Sequence, residues 1–93
     1  MKQVSFTKHA SARCQQRGIG KKIIPLIMDY GHFNYGREGS KIYCLSKTER
    51  SMIRADLGKS QFSKIEKQLG YVVLSRDNKV ITVGHTYKRV RRQ

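Results

Sequence analysis

The sequence predicts an α+β fold in which two N-terminal helices pack on one face of a twisted antiparallel sheet. The chain has 93 residues, 38% of them hydrophobic, and no tryptophan, which suits one domain with a modest core. Apolar residues follow helical spacing early in the chain and form strand-like runs near its end. They are too few to cover both faces of a sheet, so we expect a partly polar second face that is open to a substrate.

Caps and apolar spacing predict the first elements. Residues 4–6 form a short predicted strand. Thr7 is suited to cap a helix that ends near Arg17, and Gly18 suits the left-handed position that follows. A second helix is predicted over residues 21–30, because its apolar residues recur at i, i+3, i+4 and i+7.

The middle of the chain predicts a pair of strands and one or two short helices. Residues 32–35 and 41–45 are predicted strands on either side of a glycine-bearing turn. Ser46 and Glu49 have the spacing of a capping box, which predicts a short helix directly after Ser46. Residues 60–69 are either another short helix or a mobile connection.

The clearest structural prediction is a C-terminal hairpin. Residues 71–75 and 80–83 are apolar runs, and residues 76–79 between them have turn chemistry. The chain contains no internal repeat and no low-complexity linker, so residues 1–93 are interpreted as a single domain in which residues 85–93 form a basic tail.

Charge is the strongest functional indication in the composition. Twenty Lys and Arg against six Asp and Glu give a net charge of +14. Residues 1–28 contain six basic residues and no acidic one, and residues 78–93 contain five and none. If the two ends meet, they form one positive face, as in proteins that bind polyanions. A membrane surface or an acidic protein also fits such a face, whereas a small neutral substrate does not.

Two cysteines are too few for a disulfide framework. No stretch resembles a signal peptide or is long and apolar enough to span a bilayer. We therefore expect reduced thiols, a cytoplasmic protein and no membrane partner. A zinc site can be drawn on residue count alone from Cys14, Cys44, His9, His32 and His85, but no CxxC or HxxxH spacing supports it. Neither a metal nor a cofactor is expected.

Candidate functional side chains lie on the first predicted helix. His9, Arg13 and Gln16 fall in one stripe at i, i+4 and i+7, and Arg17 lies at its edge. A histidine, the residue type that titrates near neutrality, is thereby paired with a permanent cation whose fork fits phosphate. No acidic residue occurs nearby. A solvated helix face with an incidental histidine is the plainer interpretation of this spacing.

Several short motifs occur in a characteristic order along the chain. They are Lys8-His9-Ala10, Arg13, Arg17-Gly18-Ile19, a buried helix ending in Tyr30-Gly31, Tyr71-Val72-Val73, a turn, and Val80-Ile81-Thr82-Val83. This pattern resembles small bacterial domains of uncharacterised function that are related to the RelE and ParE toxins. The resemblance covers both ends of the chain and leaves residues 46–69 without a matching motif.

That group is similar in fold to barnase, the tRNase colicins and RelE, which are metal-independent ribonucleases. The resemblance implies a RelE-like domain with His9 and Arg13 at the active-site position on the first helix. It also implies that the last strand supplies further polar groups, here Thr82, His85 and Tyr87. Because ParE-like relatives act without cutting RNA, the fold alone does not establish the activity.

Metal-free RNA cleavage needs a base for the 2′-OH proton, an acid for the leaving 5′-oxygen and positive charge on the phosphate. A histidine can serve as base or acid at neutral pH, and Arg13 can bind two phosphate oxygens and stabilise their growing charge. His85 is the candidate second proton-transfer group, with Tyr87 as its alternative. The residues expected to hold the RNA backbone are Arg17, Lys88, Arg89, Arg91 and Arg92.

The leading hypothesis is a bacterial toxin of a toxin–antitoxin pair that acts as a metal-independent endoribonuclease in the cytoplasm. Its expected partners are RNA, free or on the ribosome, and an acidic antitoxin that covers the positive face. Two alternatives stay open: a non-catalytic nucleic-acid- or ribosome-binding domain, and a ParE-like toxin that inhibits a protein. Convergence of His9, Arg13 and His85 around a phosphate-sized gap would favour the enzyme.

Overall fold

A computed structural model describes residues 4–85 as four α-helices and five strands. In chain order these elements are β1 (Ser5–Phe6), α1 (Lys8–Arg17), α2 (Ile23–Tyr30), β2 (His32–Tyr35), β3 (Lys41–Cys44), α3 (Lys47–Leu57), α4 (Lys59–Ile65), β4 (Tyr71–Leu74) and β5 (Lys79–Gly84). Two short 3-10 turns, Arg37–Gly39 and Glu66–Gln68, complete the set. The fold is therefore α+β. Residues 60–69, which the sequence predicts as either a short helix or a connection, contain most of α4 and the second 3-10 turn.

Helix α1 has the caps that the sequence predicts. The Thr7 hydroxyl accepts a hydrogen bond from the backbone N–H of Ala10 at 3.0 Å, which satisfies one of the unpaired donors of the first turn. At the other end Gly18 is left-handed, with φ of 65°. These local contacts fix the length of α1, and with it the position of His9 and Arg13.

The five strands form one mixed sheet in the order β1-β5-β4-β3-β2. Strand β1 runs parallel to β5, and the other neighbours are antiparallel. The prediction of an antiparallel sheet is therefore wrong at β1. Its partner β5 is the last strand of the described chain, so no hairpin fixes their relative direction.

The helices are also arranged differently from the prediction of two N-terminal helices on a sheet. Two pairs of helices, α1–α2 and α3–α4, are interleaved with the strands along the chain. Helix α1 packs on β5 and β1, α2 packs on β3 and β4, α3 contacts α2, and α4 contacts α3. Strand β2 forms the outer edge of the sheet, beyond the strands on which α1 and α2 pack.

One hydrophobic core lies between the helices and one face of the sheet. Its fully buried side chains are Ile24, Ile27, Ile53, Val72, Leu74, Val80 and Val83. Along β4, burial alternates: Val72 and Leu74 are buried, whereas Tyr71 and Val73 on the opposite face are only partly buried. The sheet thus has one packed face and one partly exposed face. No helix within residues 4–85 is long and apolar enough to cross a membrane.

Candidate nucleic-acid interface

Helix α1 brings His9 and Arg13 into direct contact. The two residues are one turn apart, and the Nε–H of Arg13 donates a hydrogen bond to Nε2 of His9 at 3.2 Å. His9 is exposed and Arg13 is half-buried. The predicted stripe on α1 therefore contains a real side-chain pair at the protein surface.

This hydrogen bond determines which nitrogens of His9 and Arg13 remain free to bind a ligand. Because Nε2 of His9 accepts this hydrogen bond, the neutral ring carries its own proton on Nδ1. Arg13 uses only Nε in this contact, and within residues 4–85 its two terminal nitrogens have no hydrogen-bond partner. They present a fork that matches two oxygens of a phosphate.

The surroundings of the pair are strongly positive. Five cations lie on α1 and in the turn that precedes α2; we call them the basic surface, and they are Lys8, Arg13, Arg17, Lys21 and Lys22. Residues 4–28 contain no acidic residue. Across the described chain none of the five forms an ion pair with a carboxylate, so their charge is not neutralised locally.

The inner side of α1 is apolar and has a packing role. Cys14 is buried in the core beside Ala10. Burial raises the pKa of the Cys14 thiol, and the nearby charge of Lys21 offsets only part of that effect. Cys14 is therefore a thiol that packs α1 on the sheet, since a reactive cysteine needs a lowered pKa.

His85 lies at the opposite end of α1 from His9. Its Nε2 is 2.5 Å from the backbone oxygen of Arg17, so Nε2–H donates to a carbonyl of the last helical turn. Residues 9 and 17 are separated by about 12 Å of helix axis. His9 and Arg13 thus meet as predicted, whereas His85 is bonded to the far end of the helix and does not join them around one phosphate.

The other predicted site residues are distributed differently. Thr82 pairs with Val73 on β4, which places it on the sheet face turned away from α1. Gln16 is exposed on α1. The remaining predicted residues lie outside the described part of the chain; they are Tyr87, Lys88, Arg89, Arg91 and Arg92.

The zinc site drawn on residue count is not assembled. Within residues 4–85, no group of three or more His, Cys, Asp or Glu side chains is arranged to hold a metal ion. Each histidine has a different neighbour: His9 contacts Arg13, His32 contacts Glu49, and His85 contacts the Arg17 carbonyl.

Sequence reasoning missed an exposed group of aromatic side chains at the edge of the sheet. Phe33 and Tyr35 on β2 lie beside Tyr43 and Lys41 on β3; we call these four residues the aromatic cluster. The available signal was the spacing of Phe33 and Tyr35, because aromatics two apart on a strand share one face. Taken alone, that spacing predicts only a strand.

Comparison of the chain with protein-family models finds no matching family, and comparisons with curated proteins and with solved structures find no match. The relation to the RelE and ParE toxins therefore stays a prediction from short motifs. The α+β architecture by itself is compatible with many activities, so the side chains on α1 carry the functional inference.

Proposed function

We propose that this protein is a toxin-like endoribonuclease that binds RNA on the basic surface and cleaves it without a metal at His9 and Arg13. The observation that carries the proposal is the exposed His9–Arg13 pair, whose guanidinium fork is unoccupied within the described chain. The net charge of +14 supports a polyanionic substrate.

RNA binding begins with the phosphates. Lysine and arginine side chains bind phosphate oxygens and release condensed counterions, which supplies most of the affinity for a nucleic-acid backbone. The basic surface offers five such side chains without a competing carboxylate. Arg13 differs from the other four because it contacts His9, so a phosphate held by its fork lies beside the imidazole.

Binding of that phosphate activates His9. Charge-assisted bonds from Arg13 to phosphate are stronger than its bond to a neutral imidazole, so the guanidinium turns to face the phosphate. This turn withdraws its Nε–H from His9 and leaves Nε2 free. The freed Nε2 accepts the proton of the 2′-OH, and the 2′-oxygen attacks phosphorus. The bond from phosphorus to the 5′-oxygen breaks, and that oxygen takes a proton from the imidazolium or from water. The products carry a 2′,3′-cyclic phosphate and a 5′-hydroxyl.

Arg13 also stabilises the negative charge that develops on the phosphate oxygens during attack. Because the attacking group is the 2′-OH, the reaction is confined to RNA. In a bacterial cytoplasm such an enzyme must be kept silent, and an acidic antitoxin segment complements the basic surface. The RNA substrate is either free or bound to the ribosome.

The test compares RNA cleavage by the wild type with that by His9→Ala and Arg13→Ala, on free RNA and on ribosomes. Each substitution should lower the rate about a hundredfold or more, and Arg13→Lys should restore only part of it because lysine lacks the fork. Gln15→Ala is the matched control, since Gln15 is exposed on another side of α1. Chelators should not change the rate.

Thermal unfolding of each variant, measured in parallel, separates lost chemistry from lost folding. If both alanine variants lose stability but keep their activity per folded molecule, His9 and Arg13 have only a structural role. If the wild type binds RNA and leaves it intact, free and ribosome-bound, the protein is a non-catalytic binding domain. The position of His85 away from His9 favours this second function.

A further inference from the structure

The aromatic cluster lies on the edge strand β2 and its neighbour β3, and two of its rings are exposed. Phe33 is 39% exposed and Tyr35 is 72% exposed. By strand register, Phe33 is opposite Tyr43 and Tyr35 is opposite Lys41. On the next strand, Tyr43 is opposite Val72 and Lys41 is opposite Leu74. The cluster therefore lies on the same face of the sheet as these two buried residues of β4.

Contacts within the cluster fix the exposed rings. The Phe33 ring centroid is 5.3 Å from that of Tyr43 and 5.4 Å from that of Tyr35, which it meets edge to face at 86°. These are the separations and the geometry that aromatic pairs prefer. Half-buried Tyr43 thus supports Phe33, and Phe33 supports Tyr35, so a ligand meets a preformed ring and loses little affinity to ordering.

A cation completes the cluster. The Nζ of Lys41 lies 4.9 Å from the centroid of the Phe33 ring, within the range of a cation–π contact. An exposed aromatic face beside an ammonium group matches one nucleotide of a single strand, because the base stacks on the ring and the phosphate meets the cation. Paired bases in a duplex are not available for such stacking.

We propose, building on the proposed RNA binding, that Tyr35, supported by Phe33 and flanked by Lys41, is a base-stacking site for single-stranded RNA. The site adds recognition of an unpaired base to the phosphate contacts of the basic surface. It lies on the outer strand of the sheet, away from β1 and β5, which contact α1. The two surfaces therefore engage different nucleotides of one strand.

A second copy of the protein is the competing occupant, because β2 is an edge strand that can pair with another β2. Such a contact is symmetric and brings together two proteins that each carry a net charge of +14. Repulsion between like charges opposes this contact, whereas the negative charge of RNA complements the positive charge of the protein. Charge therefore favours RNA over self-association.

The experiment measures binding of a fluorescent single-stranded 2′-O-methyl oligouridylate, which cannot be cut by 2′-OH attack. Tyr35→Ala should weaken binding about tenfold through lost stacking, and Tyr35→Phe should bind as the wild type does. Met52→Ala is the matched control, because Met52 is an apolar side chain 51% exposed on α3. Inorganic polyphosphate, which has no bases, should bind all four proteins equally.

A stacking signature makes the test specific. The fluorescence of an oligonucleotide that carries 2-aminopurine should be quenched by the wild type and by Tyr35→Phe, and not by Tyr35→Ala. Equal RNA affinity of wild type and Tyr35→Ala would overturn the stacking site and leave the proposed function intact. If the wild type does not bind RNA, both proposals fail. If Tyr35→Ala changes the sedimentation of the free protein and not its RNA affinity, the cluster is an interface between copies.

Discussion

At the scale of single residues, the Glu49 carboxylate contacts groups from two different parts of the fold. One of its oxygens accepts from the backbone N–H of Ser46 at 2.8 Å and lies 2.9 Å from Nδ1 of His32. Partial desolvation acts to raise the pKa of Glu49, but the hydrogen bonds from Ser46 and His32 outweigh it, and the pKa is lowered overall. Glu49 therefore links the start of α3 to β2, the strand that carries Phe33 and Tyr35.

This lowered pKa predicts a dependence of stability on pH. A carboxyl group with a lower pKa in the folded state stabilises the fold above its ordinary pKa, and loses that contribution as pH falls through the folded value. Glu49→Gln should therefore reduce the loss of stability between neutral pH and about pH 3. Urea unfolding at both pH values measures this difference in the free energy of unfolding. A Glu49→Gln variant with the same pH dependence as the wild type would contradict the assignment.

The contact between His9 and Arg13 could be predicted from sequence, whereas the position of His85 could not. Residues i and i+4 on a helix are neighbours whatever surrounds the helix, so the spacing alone brings His9 and Arg13 together. His85 reaches the Arg17 carbonyl because β5 packs beside α1. That contact depends on the tertiary fold, which no local spacing encodes.

At the scale of elements, α3 shows how strongly a local signal can define a helix. Ser46 Oγ accepts from the backbone N–H of Glu49 at 3.1 Å, and the Glu49 side chain accepts from the backbone of Ser46. This is the complete capping box that the S-x-x-E spacing predicts. Helix α3 starts at Lys47, immediately after its cap.

Removing the cap should destabilise the protein measurably. Ser46→Ala deletes the hydroxyl acceptor and should lower the free energy of unfolding by about 1 kcal/mol. Ser51→Ala is the matched control, because Ser51 is exposed within α3 and serves no cap. Chemical unfolding of the two variants measures the difference. Equal stabilities would mean that packing of Ile53, rather than the capping box, determines where α3 begins.

Strand direction was the structural feature that local signals could not supply. Hairpin chemistry predicted the antiparallel pair β4–β5, since turn residues join these strands directly. Strand β1 has only two residues, Ser5 and Phe6, and pairs with Lys79 and Val80 at the other end of the described chain. Its parallel pairing follows from the way α1 packs on β5, which is a property of the whole fold.

At the scale of the whole molecule, charge is segregated. The acidic residues all fall between residues 29 and 77. In the described structure they lie on helices and turns, and none lies on a strand. The sequence predicted a positive face if the two ends of the chain meet. Within residues 4–85, β5 packs on α1 and His85 contacts Arg17. Of the five basic residues in 78–93 only Lys79 lies in the described part of the chain, so the positive face stays a prediction.

The proposed binding of RNA to the basic surface requires that the position of the cations matters, and not the overall charge alone. The most direct measurement is the salt dependence of RNA affinity for two triple variants with equal net charge. One changes Lys8, Arg17 and Lys22 to Gln on the basic surface. The other changes Lys47, Lys59 and Lys64 to Gln, all exposed on α3 and α4.

Each triple variant lowers the net charge of +14 by three, so any difference between them reports the location of the binding surface. The first should flatten the slope of log affinity against log salt by about 2, and the second should leave the slope near that of the wild type. Equal slopes for the two variants would contradict the proposed binding surface, because RNA would then respond to total charge and not to the surface around His9 and Arg13.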